Sequence, residues 1–185
     1  MIKLAIFDMD GTLYNTNDVN YFAYKEALDE YNVKIDYDYY CRYCNGRHFT
    51  VFIPPLVDYD KEKTERIHSV KKTCYSKHLS KAKVNEHLFE IINLLKDSDC
   101  KIALVTTASK ENTYQILDYT GTREVFDLIL TAEDVTRAKP EPDGFLKAIA
   151  HFNASIDETL IFEDSDVGVV AAKATGASVI RIETF

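Results

Sequence analysis

The stretch that most limits what this chain can become is Leu4-Ala-Ile-Phe-Asp-Met-Asp-Gly-Thr-Leu13. Leu4 to Phe7 form a continuous apolar run, the pattern of a strand buried on both faces. The run ends at two carboxylates, Asp8 and Asp10, followed by Gly11 and Thr12. Positions i and i+2 of an extended strand point the same way. Both acids are therefore expected to aim into one small volume at the carboxyl end of a buried strand, where open α/β sheets bind ligands. Carboxylates held that close are costly unless a cation or a hydrogen-bond network offsets their charge. Asp-Gly also ends strands as a plain turn. A turn needs only one acid, and the stretch taken alone leaves both readings open.

The rest of the chain has two rhythms. Tyr14 to Asp18 is polar and suits a linker. From Val19, Phe22, Ala23, Ala27 and Leu28 recur at helical intervals. Asp36 to Cys44 reads as a second helix ended by Asn45-Gly46, Pro54-Pro55 breaks the chain, and Lys61 to His78 reads as a third helix. No strand is expected between residues 15 and 82. Beyond that, strands and helices alternate. Helices are expected at Glu86–Lys96, Lys110–Tyr119, Pro142–Phe152 and Val167–Thr175, the second stopped by Gly121 and the last by Gly176. Strands are expected at Lys101–Thr106, Phe126–Leu130, Thr159–Phe162 and Ser178–Ile182. Such alternation implies βαβ units, hence an α/β fold with a Rossmann-like parallel sheet and helices on both faces. The first strand belongs with the later ones. The expected core is residues 1–14 with 83–185, and residues 15–82 are an inserted helical domain that leaves beside Asp8 and Asp10, where a lid belongs.

Bulk properties narrow the function. A net charge of −8 argues against a protein that grips nucleic acid or anionic membrane. Residues 1 to 20 lack a basic region followed by an apolar core, and no run of about 18 apolar residues occurs. The expectation is a cytoplasmic protein whose four cysteines are reduced, with no membrane or nucleic-acid partner.

Three further strand ends carry polar groups. Thr106 closes one, followed by Thr107-Ala-Ser109. A threonine there is commonly a cap, yet Ser109 is the better cap, which leaves the Thr106 hydroxyl for an anion. Lys139 lies in Lys139-Pro-Glu-Pro-Asp-Gly-Phe145. Loop lysines are mostly solvated, but the prolines limit where this ammonium can reach. Glu163-Asp164-Ser165 closes another strand, with Gly168 opening a helix. Capping by Asp164 or Ser165 would be ordinary; a second acidic strand end in one sheet suggests a shared cation.

Asp8-x-Asp10-Gly-Thr-Leu13, the strand ending in Thr106, Lys139-Pro-x-Pro-x-x-Phe145 and Glu163-Asp-Ser-x-x-Gly168 follow one another in this order. Together they resemble the four motifs of the haloacid dehalogenase-like (HAD) hydrolase superfamily, over the whole chain. The insertion resembles the small α-helical cap of the group with β-phosphoglucomutase and many phosphatases. The resemblance implies Asp8 as nucleophile and Asp10 as acid/base, with Thr106 and Lys139 binding the phosphoryl group. It implies Mg²⁺ held by Asp8, the backbone carbonyl of Asp10, Asp164 and Glu163, the last directly or through water. Backbone N–H groups near Thr107 would hold phosphoryl oxygens. Dehalogenases and phosphonatase-like members lack the second aspartate, so Asp10 implies phosphoester chemistry.

The implied activity is a Mg²⁺-dependent phosphatase for a small phosphorylated metabolite, acting as a monomer or weak dimer. A phosphomutase is the alternative, but Asn20 falls where that family has its cap histidine, and an amide cannot be a general base. A non-catalytic binding protein of the same fold is a third reading, weakened because Asp8, Asp10, Lys139 and Asp164 are all present. Arg47, within Gly46-Arg47-His48, suits a second anionic group on the substrate, as Asn20 suits a substrate contact. Cys41, Cys44, Cys74 and His78 have zinc-ligand types but lie on expected helices, where such spacing is mostly core.

Overall fold

The fold is that of a computed structural model, which describes residues 1–45 and 47–183. In chain order the first half contains β1 (Leu4–Phe7), β2 (Tyr14–Asn15), α1 (Asn17–Asp29), α2 (Tyr37–Tyr39), α3 (Phe49–Phe52), α4 (Lys61–Tyr75) and β3 (Lys83–Val84). The second half contains α5 (Glu86–Lys96), β4 (Lys101–Val105), α6 (Lys110–Thr120), β5 (Leu128–Leu130), α7 (Asp143–His151), β6 (Thr159–Glu163), α8 (Asp166–Ala174) and β7 (Ser178–Arg181). They form two compact units: one of residues 1–15 with the chain from Lys83 onward, the other Thr16–Ala82.

The first unit holds a five-stranded parallel sheet in the order β5-β4-β1-β6-β7. β1 is central, and each of Leu4, Ala5, Ile6 and Phe7 is wholly buried, as an unbroken apolar run requires. The chain builds outward through β4 to β5, then returns to β6 on the other side of β1. That reversal places a crevice outside the carboxyl ends of β1 and β6, the usual ligand position in open α/β sheets. Phe7 and Phe162 are register partners there, with rings stacked at 4.3 Å. One face packs Phe145, Ala148 and Ile149 of α7 against Leu4, Ile6 and Val105. β5 starts later than its apolar run, at Leu128, because the Asp127 side chain accepts the Ile102 N–H at 2.9 Å and Phe126 is buried before the ladder begins.

One pair of strands escaped the sequence pattern. β2 and β3 pair antiparallel, Tyr14 with Val84 and Asn15 with Lys83. Two residues are too few to show periodicity. Tyr14 is no exposed linker residue: it is wholly buried, and its hydroxyl shares hydrogen bonds with Thr122 at 2.5 Å and Thr120 at 3.4 Å.

In the second unit α1 and α4 pack around Tyr24, Leu28, Tyr40, Phe52 and Ile67. The helix expected at 36–44 is one α-turn continuing as a π-helix at Tyr40–Cys44. The Asn45-Gly46 cap extends, at Gly46, outside the described residues. α3 is a single turn the sequence did not announce. The helix expected at 61–78 is α-helical to Tyr75 and tightens to 3₁₀ over Ser76–Lys81.

His68 of α4 stacks on Phe49 with centroids 3.7 Å apart, and its Nδ1 lies 3.4 Å from the Tyr24 hydroxyl. Burial, reinforced by Lys72 and Lys71, pulls its pKa down to about 4 from 6.5. The unfolded chain thus binds this proton more readily than the folded one. The His68 contribution to stability is complete above pH 6.5 and is lost as pH falls toward about 4. His68→Phe keeps the stack and is expected to flatten this part of the stability profile. Urea unfolding across that window, for both proteins, checks it, as does an NMR titration of the ring.

Candidate active site

Three neighbouring strands deliver the site. Asp8 is the first residue past β1, and its N–H still bonds Phe162 O at 3.0 Å, so it leaves the strand in register. Glu163 ends β6 and Asp164 follows it; Thr106 follows β4. Lys139 comes from the loop before α7, with a cis peptide bond to Pro140. It is not the solvated loop lysine of ordinary experience: its side chain is 7% exposed. Its Nζ donates to Asp8 Oδ1 at 2.5 Å, Glu163 Oε1 at 2.8 Å and the Val105 carbonyl at 3.4 Å. It also lies 4.9 Å from the centre of the Phe145 ring.

Each acid is held separately. Glu163 Oε2 accepts the Ser165 N–H at 2.7 Å and the Ser165 hydroxyl at 3.1 Å, while the same hydroxyl caps α8 by accepting Gly168 N–H at 3.1 Å. Asp164 accepts the Thr12 hydroxyl at 3.0 Å. Glycines make room: a Cβ on Gly11, whose φ is +94°, would lie 2.1 Å from Asp164 Oδ2, and one on Gly168 would lie 1.7 Å from Glu163 Oε1. The Thr106 hydroxyl is buried and accepts Ala108 N–H at 3.0 Å, which leaves its own proton to donate. Thr107 is exposed.

Asp10 is placed differently from the extended-strand expectation. The chain turns at Met9, whose carbonyl accepts from Leu13 and Tyr14 N–H, and Asp10 bridges to Tyr14. Among the described residues the three acids that converge are Asp8, Glu163 and Asp164, with one oxygen of each within 4.8 Å of the others. They are the only such group of His, Cys, Asp and Glu found there. Cys44 and Cys74 are buried, Cys41 is exposed and His78 Nε2 lies 3.2 Å from Glu26 Oε2, and among the described residues these four do not gather as a metal-holding group.

Asp8 and Glu163 share one buried ammonium with Asp164 beside them, and the pKa values of Asp8 and Asp164 are both displaced. Burial raises the Asp8 pKa well above the carboxylate norm; Lys139 opposes this and Glu163 and Asp164 add to it. Asp164 is raised by burial and by Glu163, against its Thr12 hydrogen bond. Burial disfavours the Lys139 charge, but attraction to Asp8 and Glu163 outweighs it, and its pKa rises. An all-oxygen set with surplus negative charge fits a hard divalent cation.

Asn20 and Arg47 belong to the second unit. The Asn20 amide donates to the carbonyl and hydroxyl of Thr16, both at 3.2 Å, and Arg47 is exposed. Sequence reasoning missed the Thr12–Asp164 bond, the Ser165–Glu163 bonds and the Phe145 ring under Lys139. Thr12 and Ser165 were visible within their motifs, but their partners depend on folding.

Gly168→Ala is expected to destabilise the protein by about 1–3 kcal/mol. The clashing carboxylate cannot swing away cheaply, since Lys139 and Ser165 both hold it. Denaturant unfolding of the variant measures the loss, and wild-type stability would contradict the packing described.

Known proteins resemble this chain along nearly its whole length. Among curated relatives, validoxylamine A 7'-phosphate phosphatase from Streptomyces hygroscopicus subsp. limoneus is 27% identical, over 100% of this chain and 87% of its own length. Pyrophosphatase PpaX from Halalkalibacterium halodurans is 28% identical, over 95% of this chain and 80% of its own. The structure of CbbY from Rhodobacter sphaeroides in complex with phosphate has the same fold, with a TM-score of 0.86 at 24% identity, covering 100% of this chain and 88% of that one. No helix among the described residues is long and apolar enough to cross a membrane. The family profile described as haloacid dehalogenase-like hydrolase matches residues 5–182, and the chain belongs to that family.

Proposed function

We propose that this protein is a Mg²⁺-dependent phosphatase that hydrolyses a small phosphorylated metabolite through an aspartyl-phosphate on Asp8. The observation that carries the reading is the buried Lys139 ammonium between Asp8 and Glu163, with Asp164 beside them at the open end of the sheet. A phosphate ester repels an incoming anion, so its reactions rest on positioning and charge neutralisation.

In this reading the Asp8 carboxylate attacks phosphorus, the bond to the leaving oxygen breaks, and Asp10 gives that oxygen its proton. Asp10 then takes a proton from the water that attacks the aspartyl-phosphate, which releases inorganic phosphate and restores Asp8. Lys139 neutralises charge on Asp8 and on the phosphoryl group. The Thr106 hydroxyl and the Thr107 N–H hold phosphoryl oxygens. Asp8, Asp164 and the Asp10 carbonyl would hold Mg²⁺, with Glu163 bound directly or through water. Bound there, the ion supplies charge neutralisation between nucleophile and phosphate. On the sequence pattern alone, Asn20 and Arg47 are proposed substrate contacts.

Two observations favour hydrolysis over phosphoryl transfer between sugar positions. Both relatives named above are phosphatases by name. The Asn20 amide has no basic lone pair and is bonded within its own helix.

The test is phosphate release from sugar phosphates, nucleotides and p-nitrophenyl phosphate, with Mg²⁺ or with EDTA. Release is expected to require Mg²⁺ and to fall at least about 10³-fold in Asp8→Asn, which keeps the shape but not the nucleophile. Release unaffected by EDTA or by Asp8→Asn would overturn the reading. Isomerisation of a phosphosugar without phosphate release would identify a mutase instead.

A further inference from the structure

Asn85 lies between β3 and α5, 6% exposed, and both ends of its amide are used. Its Oδ1 accepts Leu88 N–H at 3.3 Å, an ordinary helix cap. Its Nδ2 donates to the Thr12 carbonyl at 3.1 Å, across a sequence separation of 73 residues, and its backbone N–H donates to the neighbouring Leu13 carbonyl at 2.9 Å. Thr12 is wholly buried, and its hydroxyl donates to Asp164 Oδ1. An unbroken line of hydrogen bonds thus runs from the segment returning from the insertion, through the turn after β1, to an acid of the cation site. Capping alone would be served as well by serine or aspartate. Neither carries amide hydrogens.

We propose that Asn85 is a positioning residue for the cation site, fixing the Thr12 carbonyl so that the Thr12 hydroxyl holds one oxygen of Asp164 and leaves the other for the ion. This rests on the reading of Asp164 as a cation ligand. Partners behind a metal ligand commonly govern its affinity even though they never touch the ion.

Mn²⁺ binding to the full chain, read by electron paramagnetic resonance or calorimetry, tests the line without reference to turnover. Asn85→Ser keeps the cap acceptor but loses the amide hydrogens that reach the Thr12 carbonyl, its hydroxyl sitting on a side chain one bond shorter. It is expected to weaken Mn²⁺ binding about ten-fold, with its thermal midpoint near that of the wild type. Asn85→Asp also lacks the amide hydrogens and keeps a strong cap. It is expected to lose affinity too, although its added negative charge would by itself tighten a cation. Thr12→Val is expected to weaken binding to the same degree, while Thr12→Ser, which keeps the hydroxyl, binds as the wild type does. Adding Asn85→Ser to Thr12→Val is expected to cost nothing further, since the line is already cut. Wild-type affinity in both Asn85 variants, or a full additional loss in the double variant, would overturn the inference alone. A wild-type protein that binds neither Mn²⁺ nor Mg²⁺ would overturn the cation reading and this inference with it.

Discussion

The buried ion cluster around Lys139 is the constraint on which the rest of the molecule depends. An unpaired ammonium or carboxylate in a protein interior is prohibitively costly, and even a paired one is stable only when its remaining hydrogen-bonding capacity is met. Lys139 meets that condition with two carboxylates and a backbone carbonyl. Glu163 meets it through Lys139 and Ser165. Lys139 can reach both acids because Asp8 and Glu163 end adjacent strands and the Pro-bracketed loop before α7 delivers the ammonium between them.

The charge balance explains the chemistry the site is suited to. Asp8, Glu163 and Asp164 face one another with a single ammonium hydrogen-bonded among them, so the arrangement is short of positive charge. Burial first, and the neighbouring acids after it, raise the pKa values of Asp8 and Asp164, so a site in that condition favours uptake of either protons or a cation. Glycines at positions 11 and 168 keep the carboxylates that close, since any Cβ there would occupy the space of a carboxylate oxygen. Steric room and electrostatic demand are therefore met by the same short stretches of chain.

Much of this was legible in the sequence because its signals are local. A buried parallel strand shows itself as an apolar run, and polar residues at the ends of such runs mark the carboxyl edge of the sheet; Asp8, Thr106 and Glu163-Asp164 were singled out in this way and do lie at strand ends. Lys139 stood out through its flanking prolines and through family resemblance, since a loop lysine by itself reads as surface. What stayed hidden depends on contacts between distant residues. Tyr14 looked like a linker residue because its hydroxyl partners, Thr120 and Thr122, are over a hundred positions away. Asp10 was expected on an extended strand, but Gly11 with its positive φ turns the chain there instead. The π-helical turn at Tyr40–Cys44 has no recognisable composition, and its packing against the tyrosines of α1 arises only in the folded unit.

The sheet order has a consequence for how the protein is made. β1 is made before both of its partners, since Leu4 pairs with Lys101 on one side and Thr159 on the other. This wholly buried strand therefore waits for a partner until the chain reaches Lys101, and keeps its other edge open until Thr159. Strands paired over such separations form slowly, and their exposed edges invite association with other chains meanwhile. Asp8, Lys139 and the acids at the end of β6 meet only when β6 docks beside β1. A chain without β6 lacks Glu163 and Asp164, so the cluster of three acids cannot form until that strand is in place.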